Sequence, residues 1–198
     1  MTIDLPATEI RRRTALASPL LLLPFVPSIV SAQEAPARAL DVPYVPTPMD
    51  AVRKMLTMAR VGKGDTLYDL GCGDGRIVVT AAKERGARGV GIDLDPQRIA
   101  EAKKNAQEAG VENRVKFMVG DLFEADFSPA SVVTLYLLPV INMKLRPQLW
   151  RQLKVGTRVV SHSFTMGEDW PPEDTQRAGP ATLYRWTIKQ AHKRRASA

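Results

Sequence analysis

The residues of this chain best suited to chemistry are acids and glycines crowded into one string, Asp69-Leu70-Gly71-Cys72-Gly73-Asp74-Gly75. The string lies between a strand-like run, Thr66–Leu70, and a helical stripe of Ile77, Val78, Ala81 and Ala82. Glycines there allow a tight turn and bring a ligand close to the backbone. A dinucleotide loop needs a third glycine at the sixth position counted from Gly71, and that position is Arg76. Asp69 and Asp74 would also repel a pyrophosphate. They suit a ligand that carries an ammonium and a sulfonium, while the loop's N–H groups serve its carboxylate.

Two more acids sit where such a ligand needs them. Asp93 follows Gly73 by 20 residues and ends a second buried strand, Gly89–Asp93, where a carboxylate can accept both hydroxyls of a ribose. Asp121 follows Gly120 after a third strand, Val115–Val119, in reach of an adenine amino group, with Leu122 or Phe123 beside the ring. The ligand with all of these groups is S-adenosylmethionine. Its binding set is Asp69, Gly71, Gly73, Asp74, Gly75, Asp93, Asp121 and Leu122. Cys72 reads as a small residue fitting the loop rather than a nucleophile, and His162 as a satisfied buried histidine rather than a base. One Cys and two His exclude an internal disulfide and argue against a metal centre.

The elements that must hold these residues alternate. Thr47 as N-cap, Pro48 and Asp50 start a helix whose one face carries Val52, Met55, Leu56 and Ala59. Gly86 closes the helix after the glycine string. Asp95-Pro96 caps a third helix, carrying Ile99, Ala102, Ala106 and Ala109 and stopped at Gly110. Ser131–Leu138 is a fourth strand, nearly all apolar as expected when both faces are covered. A helix around Asn142–Leu153 leads to a fifth strand, Arg158–Phe164. A last strand, Thr182–Ile188, pairs with a short one near Glu173–Ala178. This alternation predicts an α/β, doubly wound, mostly parallel sheet.

At 198 residues, with 44% hydrophobic and 25% charged side chains, the chain is one folded domain rather than a disordered one. A net charge of +7 favours acidic partners, whether nucleic acid, anionic lipid or an acidic protein face. Arg11–Arg13 precede an apolar stretch, Ala15–Ala32, that ends in small residues, the layout of an export signal. Its 18 residues include Pro19, Pro24 and Pro27, which makes it a poor spanning helix. Residues 1–32 thus read as a signal peptide or membrane-targeting leader, 33–46 as a linker, 47–190 as the catalytic domain and 191–198 as a solvated basic tail. The expected location is exported (periplasmic) or membrane-associated; a cytoplasmic protein with a misassigned start is the alternative.

From about Val42 to Ile188 the chain resembles the class I S-adenosylmethionine-dependent methyltransferases. A narrower resemblance rests on Pro43-Tyr44-Val45-Pro46-Thr47, the loop and helix of residues 69–82, Asp121-Leu122, Leu137-Leu138-Pro139 with Leu145-Arg146-Pro147, Arg158–Ser161, and Phe164 with Trp170-Pro171. In these the chain is similar to the protein-lysine N-methyltransferases that modify the membrane-embedded c subunit of ATP synthase and the adenine nucleotide translocator. Eukaryotic members usually carry Glu-Leu-Asn where this chain has Asp93-Leu94-Asp95; the shorter acid can do the same ribose work. The resemblance implies a Rossmann-like seven-stranded methyltransferase sheet, mostly parallel with an antiparallel C-terminal strand. It also implies S-adenosyl-L-methionine as cofactor, no metal, and a protein substrate that includes membrane proteins.

DNA adenine and protein glutamine methylases carry Asp/Asn-Pro-Pro-Tyr/Phe at the end of the fourth strand, and this chain has Tyr136-Leu137-Leu138-Pro139. Base and amide nitrogens are therefore disfavoured as acceptors. A lysine amine needs an apolar, aromatic pocket that lowers its pKa. Tyr44, Tyr136, Leu138, Phe164 and Trp170 are candidates to line it, with Tyr44 and Tyr136 as the candidate catalytic residues. A small-molecule or RNA methyltransferase, and a binding protein that kept the fold without activity, are the alternatives; nucleic acid is the less favoured partner. Neither oligomeric state nor the degree of methylation follows from these residues.

Overall fold

The computed structural model describes residues 45–197. Tyr44, the leader and most of the linker lie outside the described residues. In chain order the elements are α1 (Met49–Met58), β1 (Thr66–Leu70), α2 (Arg76–Arg85), β2 (Arg88–Asp93), α3 (Pro96–Glu108), β3 (Val115–Val119), β4 (Val132–Leu135), α4 (Pro139–Gln152), β5 (Arg158–His162), β6 (Asp174–Ala178), β7 (Ala181–Thr187) and α5 (Gln190–Ser197). Several boundaries have local causes written in the sequence. Asp95 accepts from Gln97 N and Pro96 opens α3, while α2 ends where Gly86 takes φ +68°.

Among the described residues the sheet has seven strands in the order β3-β2-β1-β4-β5-β7-β6. β1 to β5 are parallel, and β7 alone is reversed, pairing antiparallel with β5 and with β6. The predicted doubly wound sheet with an antiparallel C-terminal strand is what forms. α1, α2 and α3 cover one core, built on Leu56, Leu67, Val78, Ile99 and Phe117. α4 covers a second core, with Leu70, Leu135, Leu149 and Trp186. Strand order turns back between β1 and β4, which leaves a crevice beyond their carboxyl ends. Leu70 lies level with Ile92 and with Leu135, so the three strands that border this crevice finish side by side.

The structure departs from the sequence reading at four places. Thr47 is not the cap of α1: Pro48 takes that position, no side chain caps the helix, and the Thr47 hydroxyl points elsewhere. β4 ends at Leu135 rather than Leu138, because Leu138-Pro139 already opens α4, where proline suits the first turn. β5 ends at His162, because Ser163 adopts φ +66° and turns the chain out of the sheet. The basic tail, read as a solvated terminus, forms the helix α5, in which Arg194 and Arg195 are exposed while His192 and Lys193 are half-buried.

α5 is tied to α4 by specific contacts. The Lys193 ammonium donates to the carbonyls of Arg151 (2.6 Å) and Leu153 (2.9 Å), which α4 leaves open at its C-terminal end. The His192 ring stacks on Trp150, with centroids 5.4 Å apart and planes 8° from parallel, and meets Trp170 edge-on. Burial lowers the His192 pKa, so its neutral Nδ1 accepts from Lys189 N at 3.0 Å. Truncation after Lys189 is therefore expected to lower the melting temperature by several degrees, at roughly 2–4 °C per kcal/mol for a domain of this size. Far-UV circular dichroism should stay close to native, and a merely solvated tail would leave the melting curve where it was.

Candidate active site

A cavity opens in the crevice, with about 960 Å³ of empty space counted together with its open mouth. Its wall combines Asp69 and Gly71 from the end of β1, Ile92 and Asp93 from β2, Gly120 and Leu122 after β3, and Tyr136, Leu137 and Ile141 after β4. Val45, Pro46 and Thr47 close it from the segment ahead of α1. Six of the residues expected from sequence, Asp69, Gly71, Asp74, Asp93, Leu122 and Tyr136, thus share one cavity. Gly73, Gly75 and Asp121 do not line it.

The glycine string is sewn to β2. Gly71 N and Cys72 N both donate to the Ile92 carbonyl, at 2.8 and 3.0 Å, and Gly73 N donates to Asp93 Oδ2 at 2.8 Å. Gly75 N donates back to the Cys72 carbonyl. Of the loop's N–H groups, which the sequence offered to a ligand carboxylate, these four are used within the protein. The glycines have two different reasons. A Cβ on Gly71 would lie 2.8 Å from Leu137 Cδ2, against the cavity wall. A Cβ on Gly75 would lie 2.6–2.8 Å from Phe117 and Ala102, so this glycine serves the packing of α2 and α3 on the sheet. Cys72 is buried, and burial raises its pKa, which leaves the thiol protonated and inert.

The acids divide the work. Asp93 accepts from Gly73 N through one oxygen and from Asp95 N through the other, and each oxygen keeps a further acceptor position. Asp74 is forked by the Arg76 guanidinium at 2.9 and 2.6 Å, so it is already paired with a cation. Asp69 is buried and accepts from the Thr134 hydroxyl at 2.7 Å. Burial pushes its pKa up to about 7; the Thr134 bond opposes this, and the neighbouring Asp93 and Asp74 add to it. Asp121 accepts from Phe123 N at 2.9 Å and shapes the turn after β3, while Leu122 supplies the cavity contact.

On the β4 side the Tyr136 ring lies 4.0 Å from the His162 ring and 6.3 Å from Phe164, nearly parallel to the latter. His162 is buried, with Nδ1 3.3 Å from the Thr47 hydroxyl, and burial lowers its pKa, so it stays neutral. Trp170, expected near the acceptor, packs instead against Trp150 and Trp186 in the core under α4 and α5, where its carbonyl accepts from Trp186 Nε1. Leu138 is partly exposed at the start of α4 and does not line the cavity. Sequence reasoning missed Arg76, Thr134, Leu137 and Ile141. The arginine at the third-glycine position was the available signal for the first.

This donor set fits S-adenosylmethionine: carboxylates on β1 and β2, an apolar floor of Ile92, Leu122 and Leu137, and a glycine that keeps the floor open. The family model for the ANTKMT methyltransferase domain matches residues 69–174, which run from Asp69 to the first residue of β6. The chain belongs to this family. The methyltransferase is 48% identical over 134 residues to the protein-lysine N-methyltransferase of Saccharolobus islandicus, covering 67% of this chain and 83% of that protein. It is 33% identical over 151 residues to the ATP synthase c-subunit lysine N-methyltransferase of Mus musculus, covering 76% of this chain and 60% of that protein. The crystal structure of an RNA methyltransferase from Salinibacter ruber in complex with S-adenosyl-L-homocysteine superposes with a TM-score of 0.72 at 58% identity, over 74% of this chain and 95% of that one. S-Adenosylmethionine is the cofactor of this enzyme.

Two outcomes follow for cofactor binding. Asp93→Ala removes a carboxylate of the cavity wall and the acceptor of Gly73 N and Asp95 N, and bonds to a charged group are worth about 1.5–3 kcal/mol each. Calorimetry should show S-adenosylhomocysteine binding weakened by about tenfold or more. The second outcome is a pH dependence. Asp69 holds its proton below about pH 7, whereas the cofactor's ammonium favours the carboxylate, so affinity should rise with pH up to about 7 and then level off, with a proton released on binding. The sign for the unliganded fold is opposite: a raised native pKa means that stability is lost as pH rises from the unfolded value toward about 7. Asp69→Asn should flatten both profiles.

Proposed function

We propose that this enzyme methylates lysine side chains of a protein, and that the acceptor is held in or at a membrane. The observation that carries the reading is the wall beyond β4, where Tyr136, Leu137 and Ile141 face the cavity and neutral His162 and Phe164 pack against Tyr136. When bound, the cofactor supplies an electrophilic methyl carbon whose leaving group is a neutral thioether. The protein must place a neutral amine in line with that carbon, about 3 Å away, and keep water out. Neutralising a lysine of pKa near 10.4 at pH 7 costs about 4–5 kcal/mol. An apolar, aromatic wall disfavours the ammonium and lowers that cost. The carboxylates of the cavity, Asp69, Asp74, Asp93 and Asp95, lie on β1, β2 and the turns that follow them, and leave the β4 wall uncharged.

The names of the archaeal and mouse relatives support a lysine acceptor. The membrane part of the reading has two supports: the mouse relative's named substrate, and Arg11–Arg13 ahead of the apolar stretch Ala15–Ala32. The chain spans less than two thirds of the mouse protein's length. A second reading, methylation of RNA, is favoured by the Salinibacter ruber structure and the net charge of +7. It is weakened by Tyr136-Leu137-Leu138-Pro139, which offers no side-chain amide or carboxylate to hold a base amino group.

Incubating the enzyme with methyl-labelled cofactor and separated membrane, soluble-protein and RNA fractions decides between the readings. Label should enter the membrane fraction, and mass spectrometry should place it on lysine in cells that contain the enzyme but not in cells that lack it. Label in RNA alone would defeat the lysine reading. Label on lysines of soluble proteins alone would defeat its membrane part.

A further inference from the structure

Arg76 stands where a dinucleotide loop has its third glycine, and its side chain does more than pair with Asp74. While Nε and Nη2 fork the Asp74 carboxylate, Nη1 donates to the Thr47 carbonyl at 3.1 Å. Thr47 is thereby fastened to the glycine string. The same residue is fastened on its other side, because its hydroxyl lies 3.3 Å from Nδ1 of His162, whose ring packs on Tyr136. Thr47 is only 4% exposed, although Val45, Pro46 and Pro48 around it are exposed. A threonine followed by proline at a helix start ordinarily turns its hydroxyl to the helix N–H groups. Here the hydroxyl leaves α1 uncapped and reaches across to β5.

We propose that Thr47 and Arg76 are positioning residues that clasp the segment 45–47 over the cofactor cavity and set how long the cofactor stays bound. Val45, Pro46 and Thr47 line the cavity together with Gly71, Asp74 and Arg76, so releasing the clasp opens the wall against which the cofactor rests. One end of the clasp is on the cofactor loop and the other on the acceptor wall. Both ends must let go before the segment swings away. The inference rests on the cofactor assignment and is independent of whether the acceptor is a lysine or RNA.

The test uses the full chain, with S-adenosylhomocysteine as the probe. Its affinity is read by calorimetry, and its dissociation rate by chasing labelled probe with unlabelled. Thr47→Val keeps the shape and removes the hydroxyl; dissociation should accelerate by about fivefold, the size one lost hydrogen bond commands. Thr47→Ser, which keeps the hydroxyl, should reverse most of that loss. His162→Phe keeps a ring against Tyr136 and should reproduce the Thr47→Val rate, and the double variant should be no faster than either single one, since both cut the same bond. Arg76→Lys cuts the other end and carries the test should Thr47→Val fail to fold. In steady state the cofactor KM should rise with kcat nearly kept. Unchanged dissociation in both Thr47→Val and Arg76→Lys overturns the proposal. So does a rise that Thr47→Ser does not reverse, or one that only tracks a fall in the melting temperature of the unliganded protein.

Discussion

The Asp93 carboxylate accepts from the backbone N–H groups of Gly73 and Asp95, and through those two bonds it joins the glycine string, the end of β2 and the start of α3. Gly71 and Cys72 add two bonds to the Ile92 carbonyl one residue earlier, so the string is held against β2 at three points. Because β2 lies in register with β1, the turn that leaves β1 has only one place to go. The cofactor site is therefore shaped before the cofactor arrives. The carboxylate that faces the cavity is also the group that holds the loop, which ties the cavity wall to local structure.

Three acids crowd this end of the sheet, and each escapes mutual repulsion differently. Asp93 is held by backbone donors. Asp74 is neutralised by the Arg76 fork. Asp69, buried beside both, is left with the Thr134 hydroxyl, and it meets the cost of burial by holding its proton up to about pH 7. An acid poised to ionise near pH 7 thus stands in the cavity wall.

The aromatic residues are sorted by the sheet. Trp150, Trp170 and Trp186 meet His192 or one another in the core beneath α4 and α5, whereas Tyr136, His162 and Phe164 gather at the strand ends beside the cavity. Phe164 and Trp170 are close in sequence but serve these two different places. The separation begins at Ser163, whose left-handed backbone ends β5, with Phe164 N donating back to the His162 carbonyl at 2.9 Å. α4 then holds the emerging loop: Asn142 Nδ2 reaches the carbonyls of Phe164 and Thr165, and Arg146 that of Met166.

The alternation of strands and helices, the caps at Asp95-Pro96 and Gly86, the glycine string and the acid at position 93 were all legible in the sequence, because each depends on local backbone preference or fixed spacing along one βαβ unit. The family resemblance was legible for the same reason, since its motifs are short and contiguous. Other assignments needed the folded chain. Thr47 reads as a helix cap until β5 brings His162 within reach across the sheet, and Trp170 reads as an acceptor contact until the core between α4 and β7 claims it. The bond that Asp121 accepts from Phe123 N, and the reach of Lys193 from the basic tail to the open carbonyls of α4, likewise appear only in the folded chain. Local preference settles what each segment becomes, but a side chain's partner is set by competition among groups distant in sequence, and only tertiary packing decides which of them come within hydrogen-bonding distance.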